Sequence, residues 1–354
     1  MEHRALVSTR KGLFVYARED KGWRRAGSHF AGSPVTLALA DPRDGSLYAA
    51  LNLGHFGPKL HRSEDGGATW QEIAMPAFPK GDGNPALKQI WSLEIGGADE
   101  AGTLWAGGIP AGLFVSVDRG TSWRLVESLW NMPDRARWFG GGYDDAGIHS
   151  VLVDPRDSAH VMAGISCGGV WQTLDRGQSW TPCTDGMYAA YVPPEQKYDT
   201  AVQDPHRVAR CSTYPDSLWI QHHNGVFRST DCAKQWNELH PPISNFGFAV
   251  AAHPKDPLTA WFVPAQSDQR REPVDANLVV NRTHDGGRTF ESLRAGLPVS
   301  AYDLVYRHGL DVDQAGECLA MGSTTGGLWF SQNGGDDWQF ESTRLPPICA
   351  VRMY

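Results

Sequence analysis

An all-β, seven-bladed β-propeller is predicted for this 354-residue chain by three observations. An eight-residue turn motif recurs along it, short apolar strands precede each copy, and glycine and tryptophan are abundant. Gly at 39 and Trp at 14 accompany no long helical pattern, which favours many short strands joined by tight turns.

The motif reads SEDGGATW (63–70), SVDRGTSW (116–123), TLDRGQSW (173–180), STDCAKQW (229–236), THDGGRTF (283–290) and SQNGGDDW (331–338), with a worn copy at YAREDKGW (16–23). Its closing aromatics fall at 23, 70, 123, 180, 236, 290 and 338, and a period near fifty suits one four-stranded blade per repeat. The Ser or Thr hydroxyl and the Asp carboxylate accept backbone N–H groups within the hairpin, and a central Gly supplies positive φ. The last aromatic re-enters the sheet and fills space between blades. Looser turns are expected where Asn333 replaces Asp and Cys232-Ala233 replace the glycines.

Each copy follows a strand such as GLFVY (12–16), GLFVS (112–116) or GLWFS (327–331). Before it lie a middle strand, as in SLYAALN (46–52) or CLAMGST (318–324), and an innermost one, as in VTLALA (35–40), IHSVLV (148–153), FGFAVAA (246–252) or YDLVYR (302–307). From the channel outward we call the four strands A, B, C and D. ALVST (5–9) is already a B strand and ICAVRMY (348–354) has the composition of an A strand. The C-terminal strand is therefore expected to close the ring inside the N-terminal blade, leaving no exposed sheet edge. Residues 1–354 are read as one propeller domain.

A net charge of −8 with no Lys/Arg cluster beyond Arg24-Arg25 or Arg270-Arg271 argues against a nucleic-acid partner. No apolar run is long enough for a membrane helix, and the N-terminus has no secretory pattern. Six widely spaced cysteines without a C-x-x-C pair read as reduced thiols, so a cytoplasmic protein is expected.

The repeated motif resembles the Asp-box, or bacterial neuraminidase repeat, of sialidases, some xyloglucan-active glycosidases, sortilin-type receptors and a photosystem assembly factor. TRKGLFV (9–15), WFGGGYDDAGIHSVLVDPRD (138–157), QHHNGVFRS (221–229) and MGSTTGGLWFS (321–331) look like bacterial sialidase-like "glycosyl hydrolase, BNR repeat" proteins. The resemblance implies that Asp65, Asp118, Asp175, Asp231 and Asp285 are structural and that chemistry belongs to the other face, at the B–C and D–A loops. It also implies an arginine clamp, a Tyr nucleophile and a carboxylic acid in a true sialidase, but the early Arg-Ile-Pro signature is replaced by Thr9-Arg10-Lys11-Gly12.

On that face the expected ligand-binding residues are Arg10, His55, Arg137, Trp138, His149, His222, His223 and Arg271. Arg10, Arg137 and Arg271 offer a clamp for a carboxylate or phosphate. Trp138, in the long D–A connection 127–147, offers an aromatic platform beside Gly140-Gly141-Gly142. A second long connection spans 183–203. Asp303, Asp268 and Tyr302 are the expected catalytic residues. No cofactor is expected; a metal held by His149 and His223 is the alternative, since imidazoles are good ligands but no close motif spacing is present. His253 and His308 are placed at A–B turns on the opposite face. A small-molecule or glycan ligand, with hydrolase-like action on an anionic or sugar-type substrate, is the expected function. The alternative is a scaffold for a protein partner, and no membrane partner is expected.

Overall fold

Short, mostly apolar runs, punctuated by glycine-containing turns, build seven four-stranded antiparallel sheets whose inner strands are buried on both faces. In the computed structural model, which describes residues 3–20, 22–81, 83–342 and 344–354, the chain is all-β with the blades of a seven-bladed propeller. Its helices are single turns, and among the described residues no helix is long and apolar enough to cross a membrane. The six cysteines are free thiols.

The chain divides into two units, residues 39–205 and residues 1–38 with 206–354. In the first, blade 3 runs Gln89–Ile95, Leu104–Ile109, Leu113–Ser116, Arg124–Leu125, and blade 4 runs Ile148–Asp154, Asp157–Ile165, Gly169–Thr173, Thr181–Pro182. Blade 2 begins at Val35–Ala40, where the division falls, and continues through Leu47–Asn52, Pro58–Ser63 and Gln71–Ile73. Trp105, Leu113, Ile148, Val161 and Trp171 fill the core between blades 3 and 4.

The other unit holds blades 5, 6, 7 and 1. Blade 5 starts at Pro205–Arg210 and blade 6 at Gly247–Ala252. Blade 7 is Leu310–Val312, Leu319–Gly322, Leu328–Ser331 and Gln339–Ser342. Blade 1 takes its innermost strand from Ile348–Met353, paired antiparallel with Arg4–Thr9, as the sequence predicts. Trp23 stacks on Phe330 at 4.3 Å, so the worn first motif still delivers its aromatic to the core shared by blades 7 and 1.

The repeat turns are held as their chemistry dictates. In the first full copy, Ser63 Oγ donates to Asp65 Oδ1 at 2.7 Å and accepts from Gly67 N at 2.8 Å, while Thr69 N donates to Asp65 Oδ1 at 2.9 Å. The expected loosening at the degenerate copies does not occur. Ala233 N still reaches Ser229 Oγ at 2.9 Å, with Cys232 and Ala233 at φ of 63° and 64°. Asn333 Oδ1 still accepts from Asp337 N at 3.1 Å, because the turn needs one acceptor oxygen there and an amide supplies it.

Blade 7 corrects the sequence reading in another way. Its innermost strand is Leu310–Val312, not 302–307, which belongs to the D–A connection. Leu304 and Val305 are buried, but as loop residues packed under the sheet rather than as part of its ladder. The A–B turn is consequently 313–318, and His308 lies before the strand instead of at that turn.

Candidate functional site

The D–A connection of blade 7 and its B–C turn meet at one end of the blade. Leu278 N donates to Pro298 O at 3.3 Å and Ala301 N to Ala276 O at 2.7 Å, so the long B–C insertion of blade 6 backs the connection. Thr324 N donates to Leu304 O at 2.9 Å and ties in the B–C turn. Between them lies a recess of about 480 Å³ lined by Leu297, Pro298, Tyr302, Asp303, Trp329 and Phe340, among others.

Each lining group has a local cause. Ser323 Oγ donates to Asp303 Oδ1 at 2.6 Å, and Thr325 Oγ1 donates to the same oxygen. Those hydroxyls fix the carboxylate at the edge of the recess. Trp329, on the C strand, is buried, and its ring lies 5.8 Å from that of Phe340 on the D strand. Gly327 makes room for it: a Cβ there would stand 2.1 Å from the Trp329 ring. Tyr302 and Phe340 remain 67% and 50% exposed, presenting flat apolar faces beside an ionisable oxygen. Aromatic faces with a few fixed polar groups are how a concave site takes a polyhydroxylated ligand.

A second cluster in the same unit surrounds Phe248. His206 stacks on it at 4.5 Å and an interplanar angle of 16°, and the guanidinium carbons of Arg271 and Arg307 stand 5.4 and 5.3 Å from its centroid. His206 Nδ1 is 2.6 Å from Gly247 O, and His223 meets the His206 and Phe246 rings edge-on at 5.5 and 5.6 Å. Arg271 is ion-paired to Asp268 at 2.5 Å. Neither Asp268 nor Arg271 lines the blade 7 recess. Of the three residues expected to be catalytic, the structure therefore brings Tyr302 and Asp303 into one cavity and places Asp268 in an ion pair outside it.

The remaining residues are distributed as follows. His222 is buried, with its Nδ1 accepting from Asn224 N at 3.1 Å. Arg10 is exposed in the turn after Arg4–Thr9, its N–H donating to Pro347 O at 3.0 Å. In the unit 39–205, His149 is wholly buried, with Nδ1 2.9 Å from Ser150 Oγ and its ring edge-on to Trp91. Arg137 is ion-paired to Asp199, and Trp138 is half-buried with its ring 6.1 Å from that of Trp171. His55 is exposed on the single turn Gly54–Phe56. Two of the three proposed clamp arginines, Arg137 and Arg271, thus already carry an acidic partner. His149 and His223 lie in different units.

Sequence reasoning missed Trp329, Phe340 and Thr325. The local signal is Gly326-Gly327, which marks a close backbone approach; the partners from strands C and D meet the loop only after folding.

No protein-family model matches the chain. It is 24% identical over 359 residues to an oligoxyloglucan-reducing end-specific xyloglucanase of Emericella nidulans, covering 92% of this chain and 42% of that protein. It is 25% identical over 334 residues to a probable enzyme of the same description from Neosartorya fischeri, covering 86% and 38%. The chain thus spans about two-fifths of the length of the curated relatives it matches. Among solved structures it resembles the GH74 xyloglucanase from Xanthomonas campestris, with a TM-score of 0.63, 19% identity, and coverage of 96% of this chain and 55% of that one. That likeness is one of fold.

Proposed function

We propose that this protein is a carbohydrate-directed, hydrolase-like propeller whose sugar ligand lies in the blade 7 recess. The observation that carries the reading is the placement of the Asp303 carboxylate, anchored by Ser323 and Thr325, beside the faces of Tyr302 and Phe340 in a cavity of about 480 Å³. Sugar C–H faces pack on aromatic rings, and sugar hydroxyls donate to a fixed carboxylate oxygen. The likeness to xyloglucan-acting enzymes along most of the chain supports a glycan over an unrelated small molecule.

Glycosidic hydrolysis ordinarily uses two carboxylates flanking the scissile bond. Among the described residues lining this recess, Asp303 is the one acidic side chain. Its role in this reading is to orient a sugar hydroxyl or the attacking water, and a second carboxylate must approach from outside the recess.

Titration calorimetry with xyloglucan-derived oligosaccharides tests the reading. Wild-type protein should bind, and Tyr302→Ala and Asp303→Asn should each weaken binding by about tenfold or more, the loss of one stacking face or one charged hydrogen bond. Equal affinity in all three proteins contradicts it. A second reading has its own support: Val299, Tyr302 and Phe340 leave an exposed apolar rim at this end, as a protein partner would need. A peptide that binds the recess and is insensitive to competing oligosaccharide would favour that alternative.

A further inference from the structure

At the opposite end of blade 7, the A–B turn 313–318 carries a different cluster. Asp313 opens it as Asp41 and Asp154 open the A–B turns of blades 2 and 4. In blade 2, Asp41 N donates to Ser46 O at 2.8 Å; in blade 7, Asp313 N donates to Cys318 O at 2.9 Å. The turns differ in what meets the carboxylate. Asp41 and Asp154 each bind the arginine two residues on, Arg43 at 2.7 Å and Arg156 at 2.8 Å. Blade 7 has Ala315 at that position, and Asp313 Oδ2 instead faces His3 Nδ1 at 3.1 Å.

Cys318 completes the group. The His3 nitrogen, an Asp313 carboxylate oxygen and Cys318 Sγ all lie within 4.8 Å of one another. Both Asp313 and Cys318 are buried. Ligand atoms of a tetrahedral zinc ion stand roughly 2.0–2.3 Å from the metal and therefore roughly 3–4 Å from each other. We propose that His3 Nδ1, Asp313 and Cys318 Sγ bind a thiophilic divalent cation, with Zn²⁺ the best match, at this turn.

The surroundings prepare the ligands. Asp313 Oδ1 accepts from Gly316 N, Glu317 N and Cys318 N at 2.8, 2.9 and 3.1 Å, which aims the other oxygen at His3. One turn thus sets two of the three ligands. Arg18 Nη1 stands 3.4 Å from Cys318 Sγ, placed to donate to the thiolate once a metal has displaced its proton. Outer donors of this kind orient and tune metal ligands. A thiolate, an imidazole and a carboxylate suit zinc and disfavour magnesium or calcium, which prefer all-oxygen shells. Three protein ligands leave a fourth position for water. His3 precedes the first strand of blade 1 and Asp313–Cys318 belong to blade 7, so the ion would staple the N-terminal strand to the neighbouring blade.

This proposal is independent of the sugar reading and departs from the expectation that no cofactor is bound. Tag-free protein, stripped with chelator and titrated with Zn²⁺ against a chromophoric competitor, should take up one equivalent. With Co²⁺ it should show a thiolate-to-cobalt charge-transfer band. His3→Ala removes a ligand near the chain end without touching the turn, and should weaken Zn²⁺ binding at least about tenfold. Cys318→Ser should abolish the cobalt band; should that variant fail to fold, His3→Ala carries the test, with near-ultraviolet circular dichroism confirming its fold. Zn²⁺ uptake identical in wild type and His3→Ala, or Co²⁺ bound without a thiolate band, overturns the site and leaves His3–Asp313 as an ion pair.

Discussion

Ser323 Oγ donates to Asp303 Oδ1 at 2.6 Å, joining the D–A connection of blade 7 to its own B–C turn. The same hydroxyl oxygen accepts from Gly327 N at 3.0 Å, so one buried serine holds both sides of the recess. Ser323→Ala should free the carboxylate and slacken the turn, costing about 1–3 kcal/mol of stability by the loss of a bond to a charged group. Urea denaturation measures this. An unchanged midpoint with unchanged oligosaccharide affinity would mean that the serine organises neither.

Gly327 sets the depth of the recess. With a Cβ 2.1 Å from the Trp329 ring, Gly327→Ala must displace that indole, which lines the recess. About 1–3 kcal/mol of destabilisation is expected from such overpacking, together with lost ligand binding. Trp329 fluorescence compared in wild type and variant, alongside calorimetry, checks both parts.

The repeat turns make stability acid-sensitive. Hydrogen bonds from the Thr69 hydroxyl and Thr69 N–H lower the Asp65 carboxyl to about 2, and Thr289 does the same for Asp285, also to about 2. Both folded values lie below the ordinary carboxylate range. Their contribution is therefore complete above about pH 4 and is lost as the pH falls toward 2. Urea midpoints should decline over that interval, and Asp65→Asn with Asp285→Asn should decline less steeply. Parallel profiles for the two proteins would remove these turns as the cause.

Arg43 reaches from the A–B turn of blade 2 to that of blade 3. Its guanidinium donates to the carbonyls of Gly96, Gly97, Glu100 and Thr103 at 2.9–3.2 Å and to both oxygens of buried Asp41. Arg43→Lys keeps the charge but cannot serve these acceptors from one planar fork. We expect a loss of about 3 kcal/mol, because the buried Asp41 carboxylate is left poorly paired. Thermal unfolding of Arg43→Lys and Arg43→Ala should give similar, lowered midpoints; full rescue by lysine would show that charge alone matters.

The frame was legible because every repeat carries its own turn chemistry. Serine or threonine, an acceptor two residues on and a closing aromatic identify a hairpin without knowledge of its neighbours. Even Trp23, after a worn motif, could be placed. Loops obey no such period. Leu304 and Val305 look like strand residues because they are apolar and buried, yet the ladder belongs to Leu310–Val312, whose Asp311 is spent on the Met353 N–H at 2.8 Å. Tyr302 and Asp303 were recognisable as candidates from residue type and position. Their companions Trp329 and Phe340 were not, because they come from strands C and D and meet the loop only after folding. The partners of Arg137 and Arg271 were hidden for the same reason: a sequence shows an arginine but not the Asp199 or Asp268 beside it.

The most direct test of the central claim is a crystal structure of the protein soaked with a xyloglucan-derived oligosaccharide. A sugar ring stacked on Tyr302 or Phe340, with a hydroxyl bonded to Asp303, is the expected result. Ordered sugar elsewhere on the molecule, with the recess holding only water, would contradict it.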